Sequence, residues 1–418
     1  MARRKIREFD AKRIVCPMLG LGLRAVQVTS SNELKALSAK NPWLKSEKLV
    51  AKPDMLFGQR GKNNLVLLNA TLQEAEKFMG ELLGKDVEVN GAKGPVTHFI
   101  VEPFVQHELE HYLSISSTRE GALVRFSLSG GVQVEENWGL VREAKVAVGQ
   151  EPQLEPLVEG APADRRGKLL SFIRSCLRAF DELDLSLLEM NPFTFDSKGN
   201  PFPLDMRAEV DDTAHFRDAK KWGDLQFPQP FGRSLYPEEQ FVRDLDEKSG
   251  SSLKLTMLNP NGRIWTIVAG GGASVIYADT VVDLGYGSEL ANYGEYSGNP
   301  NEEETYAYAK TILDLATRNP DGKPIAILIG GGIANFTDVA QTFKGIIRAI
   351  REFRDRLAKA NARIFVRRGG PNYETGLALM RKLGTELGLE IDVYGPEASM
   401  TKIVPMAIEY VKAKKAAS

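Results

Sequence analysis

The sequence contains very little cysteine and histidine, and this scarcity excludes several classes of protein. Among 418 residues there are two cysteines, Cys16 and Cys176, and four histidines. A disulfide-stabilised scaffold or a structural zinc site needs more of these residues. Because a low cysteine count is typical of a reducing compartment, we expect a cytoplasmic protein.

Long apolar runs and a strong net charge are also missing. No stretch approaches the roughly 18 consecutive apolar residues of a membrane-spanning helix, and the N-terminal segment lacks the apolar core of a secretory signal. The formal net charge is −1, which provides no basic surface for nucleic acid. We therefore expect a globular protein, 43% hydrophobic and 26% charged, that binds neither a membrane nor nucleic acid.

The length favours two domains, because a single core rarely serves a chain of this size. A proline-rich segment without clear periodicity, residues 222–242, indicates a linker. We predict one domain over residues 1–235 and a second over residues 236–418. The first mixes strands with an amphipathic helix from Gly167 to Leu183, whose apolar residues recur at three- and four-residue spacing.

The second half has a different pattern. Ile264–Val268 and Ile325–Ile329 are each predicted to be a buried strand, and each is followed by a run of glycines. We predict a long helix after the second glycine run, with Phe336 and Val339 on its apolar face, and a third strand over Arg363–Val366. Repeated strand, glycine turn and helix is typical of a doubly wound parallel sheet.

The two glycine turns have two interpretations. They allow backbone N–H groups to approach an anion at a helix N-terminus, or they merely permit tight turns. Neither turn has the sequence of a P-loop or of a GxGxxG dinucleotide site. Asn335 and Thr337 fall where the helix after Gly332 should begin, and both residue types cap helices.

Two consecutive arginines, Arg367 and Arg368, follow the third predicted strand. At the carboxyl end of a parallel strand they would face the crevice where such sheets bind ligands. Guanidinium groups bind carboxylates through two parallel hydrogen bonds, so a substrate with several carboxylates would fit. A pair of surface arginines is the alternative, although the adjacent Gly369 and Gly370 leave room for a ligand.

Several polar residues in the first half suit a nucleotide and a cation. Lys52 ends a predicted strand and Arg60 lies in the next loop, where positive charge would neutralise phosphate. Asn191 and Asp205 lie on two neighbouring predicted strands, and their oxygens suit Mg²⁺ completed by phosphate oxygens. Each of these residues alone fits a solvated surface equally well.

Longer motifs around these residues point to one particular protein family. The first half contains KPDMLFGQRGK, FIVEPFV, LEMNPF and LDMRAEVDDTA, and the second contains GRIWTIVAGGGASV, GGGIANFTDVAQTFKGIIRAI and FVRRGGPNY. These motifs span nearly the whole chain and resemble ATP-citrate lyase, in particular the short subunit of its two-subunit form. More distantly, the chain resembles the β subunit of succinyl-CoA synthetase. The resemblance implies an α/β fold: an ATP-grasp domain followed by a flavodoxin-like, doubly wound ligase domain.

The resemblance also implies the residues of the sites. For the first domain it assigns ATP binding to Lys52, Arg60, Gly61, Pro103, Val105 and Glu110, and Mg²⁺ binding to Asn191 and Asp205. For the second domain it assigns citrate binding to Gly298, Asn335, Thr337, Phe353 and Arg368, and a further metal contact to Asp246, Ser249 and Ser251. Animal members of the family have a tyrosine where this chain has Phe353, so one hydroxyl group is missing here.

The family's reaction converts citrate, CoA and ATP into acetyl-CoA, oxaloacetate, ADP and phosphate, through a phosphohistidine, citryl-phosphate and citryl-CoA. No histidine of this chain lies in a glycine-rich loop; we predict His98 inside a strand and His107, His111 and His215 at the surface. We therefore expect the phosphohistidine on a larger partner subunit, where it would face Glu189 of this chain. The resemblance implies that this partner also carries the main CoA-binding domain and a citrate-synthase-like domain, in a hetero-oligomer.

Other functions remain open from the sequence alone. A subunit of citryl-CoA synthetase would share the ATP and citrate sites but would stop at citryl-CoA. The β subunit of succinyl-CoA synthetase fits less well, because succinate has fewer carboxylates for FVRRGGPNY to bind. A non-catalytic sensor of citrate or nucleotide is a further alternative, which the presence of Lys52, Asn191 and Asp205 disfavours.

Overall fold

The computed structural model describes residues 3–30, 33–131, 134 and 138–413. The chain divides into two compact units, Met1–Ser234 and Leu235–Ser418. The predicted domain boundary falls after residue 235, and the two units divide after Ser234. Within the described ranges, no helix is long and apolar enough to cross a membrane.

The described part of the N-terminal unit contains a seven-stranded sheet, a four-stranded sheet and a two-stranded hairpin, all antiparallel. Its strands are β1 Arg3–Ile6, β2 Val26–Val28, β3 Leu49–Pro53, β4 Leu67–Ala70, β5 Asp86–Val89, β6 Ala92–Pro95, β7 Phe99–Pro103, β8 His111–Ser117, β9 Gly121–Ser127, β10 Arg142–Ala147, β11 Leu185–Phe195, β12 Pro201–Pro203 and β13 Met206–Asp211. Its helices are α1 Glu8–Met18, α2 Glu33–Lys40, α3 Trp43–Ser46, α4 Leu72–Leu82, α5 Ala163–Glu182 and α6 His215–Trp222. The larger sheet has the order β1-β13-β11-β8-β9-β10, with β12 beside β11, and the smaller has the order β2-β7-β3-β4.

Two separate apolar cores stabilise this unit. One joins the seven-stranded sheet to α1 and α5, and it includes Ile173 and Phe180 from the predicted amphipathic helix. The other joins the four-stranded sheet to α2 and α4. Helix α4 begins with a capping box, in which Thr71 and Glu74 satisfy each other's backbone N–H groups.

The C-terminal unit is built on one six-stranded sheet, counted over the residues described. Its strands are β14 Ser252–Met257, β15 Ile264–Ala269, β16 Asn292–Ser297, β17 Ile325–Gly331, β18 Ala362–Arg367 and β19 Ile391–Tyr394, in the order β14-β16-β15-β17-β18-β19. Its helices are α7 Pro237–Lys248, α8 Gly271–Asp283, α9 Glu302–Thr317, α10 Val339–Glu352, α11 Arg354–Lys359, α12 Tyr373–Leu387 and α13 Ile403–Ala413. All neighbouring strands are parallel except β14 and β16. The chain continues from β15 to β16 on one side of the sheet and from β17 to β18 on the other. The strand order therefore reverses between β15 and β17, and doubly wound sheets bind their ligands at such a reversal.

Helices cover both faces of this sheet. Apolar residues of α9, α10 and α12 pack on one face, and those of α8 and α13 pack on the other. Helices α9 and α10 approach each other closely at Gly345, where a side chain would collide with Thr305 Oγ1 and with the backbone carbonyl of Glu302. The predicted doubly wound sheet is therefore confirmed, with an antiparallel strand at one edge.

Three details differ from the sequence predictions. Helix α7 begins at Pro237, inside the predicted linker, because proline is well suited to the first turn of a helix. Helix α10 begins at Val339 rather than near Asn335, and its cap is Asp338, whose side chain accepts a 2.9 Å hydrogen bond from Gln341 N. Phe336 consequently lies outside the helix and is 71% exposed.

Candidate functional site

A cavity of about 790 Å³ lies in the N-terminal unit, lined by residues of β3, β7, β11 and β13 and of the loop after β3. It gathers every residue that the sequence assigns to ATP, to Mg²⁺ and to the partner histidine. These are Lys52, Arg60, Gly61, Pro103, Val105, Glu110, Glu189, Asn191 and Asp205. The motifs that contain these residues lie far apart in the chain and meet at this single site.

Two buried cations form part of the cavity wall. Lys52 Nζ donates to the backbone carbonyl of Leu204 at 2.6 Å and to Glu8 Oε1 at 2.6 Å, and it lies 3.2 Å from Glu102 Oε2. The exposed fraction of Lys52 is 4%. Acceptors on several elements therefore fix the position of this ammonium group.

Arg60 is held in the same way. Its Nη1 donates to the carbonyl of Pro53 at 3.0 Å, and its Nη2 donates to Glu8 Oε2 and to Asp205 Oδ1, each at 2.6 Å. Burial by itself would lower the pKa of Arg60, but the carboxylates of Asp205 and Glu8 outweigh it and raise that pKa. The guanidinium group remains charged at any physiological pH.

Two members of this cluster, Glu8 and Lys12, were not predicted from the sequence. Lys12 Nζ lies 2.8 Å from Glu8 Oε1 and 2.6 Å from Glu102 Oε1. Burial would raise the pKa of Glu8, but the charges of Lys12, Lys52 and Arg60 hold it well below its ordinary value. The four-residue spacing of Glu8 and Lys12 places them on one face of α1, yet nothing in the sequence shows that this face is buried.

Asn191 and Asp205 lie side by side, since Asn191 N donates to the backbone carbonyl of Asp205 at 3.2 Å. Asn191 Oδ1 accepts from Gly131 N at 2.8 Å, and Asp205 Oδ1 accepts from Arg60. One carboxylate and one amide oxygen suit Mg²⁺, which completes its octahedron with phosphate oxygens and water. No group of three or more His, Cys, Asp or Glu side chains suited to a metal occurs in the described ranges, so this pair fits a cation that arrives with a nucleotide.

Part of the cavity lining is apolar. The rings of Phe57 and Phe231 meet edge to face with centroids 4.6 Å apart, and Val105 lines the same cavity. Aromatic and aliphatic walls of this kind suit a planar base. Phe231 belongs to the predicted linker, and no site role was predicted for it.

Two acidic side chains and one histidine complete the lining. Glu189 lies in the middle of β11, paired with Ser114 of β8 and Arg207 of β13. Glu110 lies 3.0 Å from His107 Nε2, and the other ring nitrogen of His107 contacts the carbonyl of Val105 at 2.7 Å. Both nitrogens of His107 are thus engaged.

The remaining histidines differ in part from the predictions. His111 is wrongly predicted at the surface: it begins β8, is 3% exposed and packs against Phe193 at a centroid distance of 5.3 Å. The polar residues before it in the sequence concealed the start of a buried strand. His98 precedes β7 and is only half-buried, so its predicted place inside the strand is also wrong, whereas His215 is exposed as expected.

The second candidate site lies in the C-terminal unit, at the carboxyl edge of the parallel sheet. Gly298 follows β16 with a φ of +75°, and a Cβ there would approach Ser251 Cα to 3.1 Å. Asn335 and Thr337 lie on the loop after β17, and Arg368 follows β18. The structure therefore places these four predicted citrate residues on adjacent loops.

These loops are locked together by backbone contacts. Ala334 N donates to the carbonyl of Gly369 at 2.9 Å, and Gly370 packs so closely on Ala334 that a Cβ would lie 2.6 Å from its methyl group. Asp338 N donates to Asn299 Oδ1 at 3.3 Å, which joins the loop after β16 to the start of α10. These contacts tie the three loops to one another directly.

The two consecutive arginines have different environments. Arg367 directs its guanidinium group at the backbone carbonyls of Ala398 and Gly331, at 2.8 and 2.9 Å, and is 4% exposed. Its role is structural, so the prediction that both arginines face a ligand is wrong for Arg367. Arg368 Nη1 donates to the carbonyl of Gly332 at 2.6 Å, while its Nε finds no hydrogen-bond partner among the described residues.

A tyrosine lies beside Arg368. The hydroxyl of Tyr296 is buried, has no partner with hydrogen-bond geometry in the described part of the chain, and faces Arg368 and Thr342. Burial raises the pKa of Tyr296, and the positive charge of Arg368 opposes that rise. Buried polar groups without a partner are exceptions in folded proteins, and among the described residues two of them lie side by side here, next to the predicted citrate residues.

The structure does not bring Phe353 to this crevice. Phe353 follows α10, which has 14 residues and therefore spans about 21 Å. The ring is buried in the apolar core at the far end of that helix, with the Arg356 guanidinium 4.7 Å from its centroid. The motif match carried this residue over by alignment, which gives no information about distance along a helix.

Asp246, Ser249 and Ser251 do not converge as a set of metal ligands. Both carboxylate oxygens of Asp246 are engaged, one by Leu253 N and the other by Lys254 Nζ. The hydroxyls of Ser249 and Ser251 hydrogen-bond to each other. These contacts form the turn between α7 and β14, and they engage side-chain oxygens of all three residues within the chain.

Two family models match the chain. The ATP-grasp domain of ATP-citrate synthase matches residues 2–222, and the citrate-binding region of ATP citrate lyase matches residues 233–410. The ATP-citrate synthase alpha chain protein 2 of Oryza sativa subsp. japonica is 56% identical over 99% of this chain and 100% of its own length. The ATP-citrate synthase of Bos taurus is 48% identical over 91% of this chain, which corresponds to 36% of the bovine protein.

Solved structures agree with these matches. The ATP citrate lyase of Methanothrix soehngenii, in complex with citrate and coenzyme A, covers 98% of this chain with a TM-score of 0.89 and 46% identity. A variant of the Methanosaeta concilii enzyme in complex with (3S)-citryl-CoA gives a TM-score of 0.87 and 44% identity. The fold is thus an ATP-grasp domain followed by a citrate-binding domain, and the chain belongs to the ATP-citrate synthase alpha-chain family.

Proposed function

We propose that this chain is the subunit of ATP-citrate lyase that uses ATP to activate citrate, in a reaction that yields acetyl-CoA, oxaloacetate, ADP and phosphate. The observation that carries the proposal is the meeting of Lys52, Arg60, Asn191 and Asp205 at one cavity. The family membership of both units supports it. So do the citrate, coenzyme A and citryl-CoA bound by the two archaeal relatives.

In the ATP-grasp unit, the chain's own residues would bind and orient the nucleotide. Lys52 and Arg60 would neutralise phosphate charge, and the base would pack against the aromatic surface that Phe57 and Phe231 form together. Asn191 and Asp205 would hold Mg²⁺, which when bound neutralises charge on the phosphates during phosphoryl transfer. Glu189 lines the same cavity and would face the histidine that accepts the phosphoryl group.

We place that histidine on a partner subunit, which also carries the main CoA site. Of the four histidines here, His107 lines the nucleotide cavity, but its ring nitrogens are engaged by Val105 and Glu110. His111 is buried among aromatic rings. A covalent relay needs an imidazole nitrogen that is both free and accessible. Both nitrogens of His107 are engaged, and the Nε2 of His111, although unpaired among the described residues, is buried.

In the citrate-binding unit, Arg368 would pair with one carboxylate of citrate, while backbone N–H groups at the loops after β16 and β17 meet the others. Isothermal titration of the full chain with citrate and succinate tests this assignment. We expect Arg368→Ala to weaken citrate binding by roughly 2 kcal/mol or more. Arg351→Ala is the control, because Arg351 pairs with Glu386 on the outer surface of the unit.

Two outcomes would overturn the citrate assignment. Succinate binding as tight as citrate binding would show that the third carboxylate and the hydroxyl group are not recognised. Equal citrate affinities for Arg368→Ala and Arg351→Ala would remove Arg368 from the site.

A reconstitution assay distinguishes the lyase from citryl-CoA synthetase. The chain is mixed with its partner subunit, citrate, CoA and labelled ATP, and the products and the labelled chain are identified. The proposal expects label on a histidine of the partner, and acetyl-CoA with oxaloacetate as products. Accumulation of citryl-CoA would support the synthetase, and label on His107 would contradict the need for a partner histidine.

A further inference from the structure

We propose that Glu8 is a positioning residue of the nucleotide site, which holds Lys52 and Arg60 as a pair and retains Arg60 when Asp205 turns to a bound cation. The inference rests on the proposed use of ATP and Mg²⁺ by the N-terminal unit. It concerns a residue for which no role was predicted from the sequence.

Glu8 is fixed from several directions. It is the first residue of α1, and its backbone N–H donates to Asp54 Oδ1 at 2.8 Å. Its Oε1 accepts from Lys52 at 2.6 Å and lies 2.8 Å from Lys12 Nζ, and its Oε2 accepts from Arg60 at 2.6 Å. With a side chain only 4% exposed, this carboxylate cannot turn away without breaking the whole cluster.

Arg60 has two competing carboxylates. Its Nη2 donates at 2.6 Å both to Glu8 and to Asp205, whose side chain is 43% exposed. Asp205 is therefore the partner that is able to leave, whereas Glu8 is not. If Glu8 lost its charge, Arg60 would pair with Asp205 alone and would hold that carboxylate away from a cation.

The charges of the cluster balance as it stands. Three cations, Lys12, Lys52 and Arg60, meet three carboxylates, Glu8, Glu102 and Asp205. When Asp205 turns to a cation, the remaining five groups carry one excess positive charge next to the cavity. That charge faces the position where the phosphates of a nucleotide would lie, so cation binding and phosphate binding assist each other.

The test is isothermal titration of the full chain with ATP over a series of Mg²⁺ concentrations and in the absence of Mg²⁺. We expect Glu8→Gln to raise the Mg²⁺ concentration needed for half-maximal ATP binding by about tenfold, the equivalent of one charge-assisted hydrogen bond. The control is Asp54→Asn, which removes a buried carboxylate at the same end of α1, keeps a side-chain oxygen that can accept from Glu8 N, and breaks no hydrogen bond to Lys52 or Arg60. For this control we expect a change of less than about twofold.

A second pair of variants separates a positioning role of Glu8 from a general disturbance of the nucleotide site. The double variant Glu8→Gln/Asp205→Asn is compared with Asp205→Asn alone. If Glu8 acts through Asp205, the two should depend on Mg²⁺ for ATP binding to nearly the same extent. Additive effects of the two substitutions would overturn the proposal. Equal weakening of ATP binding with and without Mg²⁺ would also overturn it. Glu8→Asp keeps the buried charge but is one methylene too short to reach both cations, so it gives the same answer if Glu8→Gln does not fold.

The results for the wild-type chain distinguish a failure of this inference from a failure of the proposed function. If the wild type does not bind ATP, the proposed function and the role of Glu8 fail together. If the wild type binds Mg²⁺ and ATP while Glu8→Gln behaves like Asp54→Asn, only the role of Glu8 fails.

Discussion

At the scale of single residues, Arg367 and Arg368 show that two identical neighbours have different tasks. The guanidinium group of Arg367 satisfies the carbonyls of Ala398 and Gly331. That of Arg368 keeps its Nε without a partner among the described residues and lies beside Tyr296. Both side chains are almost fully buried, so burial does not separate them, and the distinguishing feature is the Nε of Arg368, which still has a hydrogen bond to donate.

This contrast predicts opposite effects of two substitutions. We expect Arg367→Ala to lower the free energy of unfolding of the C-terminal unit by about 3 kcal/mol, because buried carbonyls lose their donors. Arg368→Ala should cost much less stability while it weakens citrate binding. Thermal unfolding of both variants, followed by citrate titration, measures the two effects. A loss of stability for Arg368→Ala as large as for Arg367→Ala would contradict the division of roles.

Asp54 predicts a pH effect on stability. Burial raises its pKa to about 6, with Gln27, Glu8, Arg60 and Arg7 as the surrounding polar and charged groups. Because the folded-state pKa exceeds that of the unfolded chain, the stability contributed by this group is full below about pH 4 and is lost as the pH rises through about 6.

The matching experiment compares Asp54→Asn with the wild type across this range. As the pH falls from about 7 to about 4, the wild type should gain roughly 2–3 kcal/mol of unfolding free energy relative to the variant. Melting temperatures measured at both pH values test this. A constant difference between the two proteins would show that Asp54 does not take up a proton in the folded state.

At the scale of elements, the start of α10 depends on one side chain. Asp338 Oδ1 accepts from Gln341 N, and Asp338 Oδ2 accepts from Asn372 Nδ2 at 2.7 Å. We expect Asp338→Ala to cost about 1 kcal/mol as a lost helix cap. Asp338→Asn, which keeps an acceptor, should cost less than about half of that. Urea unfolding of the two variants checks this, and equal losses would show that the charge rather than the cap is important.

The elements that the sequence predicted well are those with a strong local pattern. The buried strands β15, β17 and β18 were predicted to within a few residues, because parallel strands buried on both faces are continuously apolar. The start of α10 was misplaced, because Asn335, Thr337 and Asp338 are all residues that cap helices and only the tertiary structure selects among them. Helix α7 was missed, because prolines serve both linkers and first helical turns.

The candidate site shows a similar limit. Motif matches found Lys52, Arg60, Asn191 and Asp205, which the structure gathers at one cavity. They did not find Glu8 or Phe231, which come from the N-terminal helix and the supposed linker. Sequence patterns report on neighbours along the chain, whereas these contacts join segments that are tens to hundreds of residues apart.

At the scale of the whole molecule, each unit has its own candidate ligand. This predicts two separable patterns of hydrogen exchange in the full chain. ATP with Mg²⁺ should slow amide exchange most in peptides from residues 3–234, in particular around Lys52 and Arg60. Citrate should slow it most around Gly298 and Arg368, because bound ligands reduce local opening. Exchange mass spectrometry measures both patterns, and protection by citrate confined to the N-terminal unit would contradict the assignment.

The close approach of α9 and α10 at Gly345 has a consequence for the interpretation of genetic variants. These two helices follow the loops that carry Gly298 and Thr337, so a side chain at residue 345 would force the two loops apart. Such a variant would lose affinity for citrate while every residue that contacts the ligand stayed unchanged. A mutational screen scored by growth or activity would rank Gly345 among the binding residues, although its importance lies in the spacing that it permits.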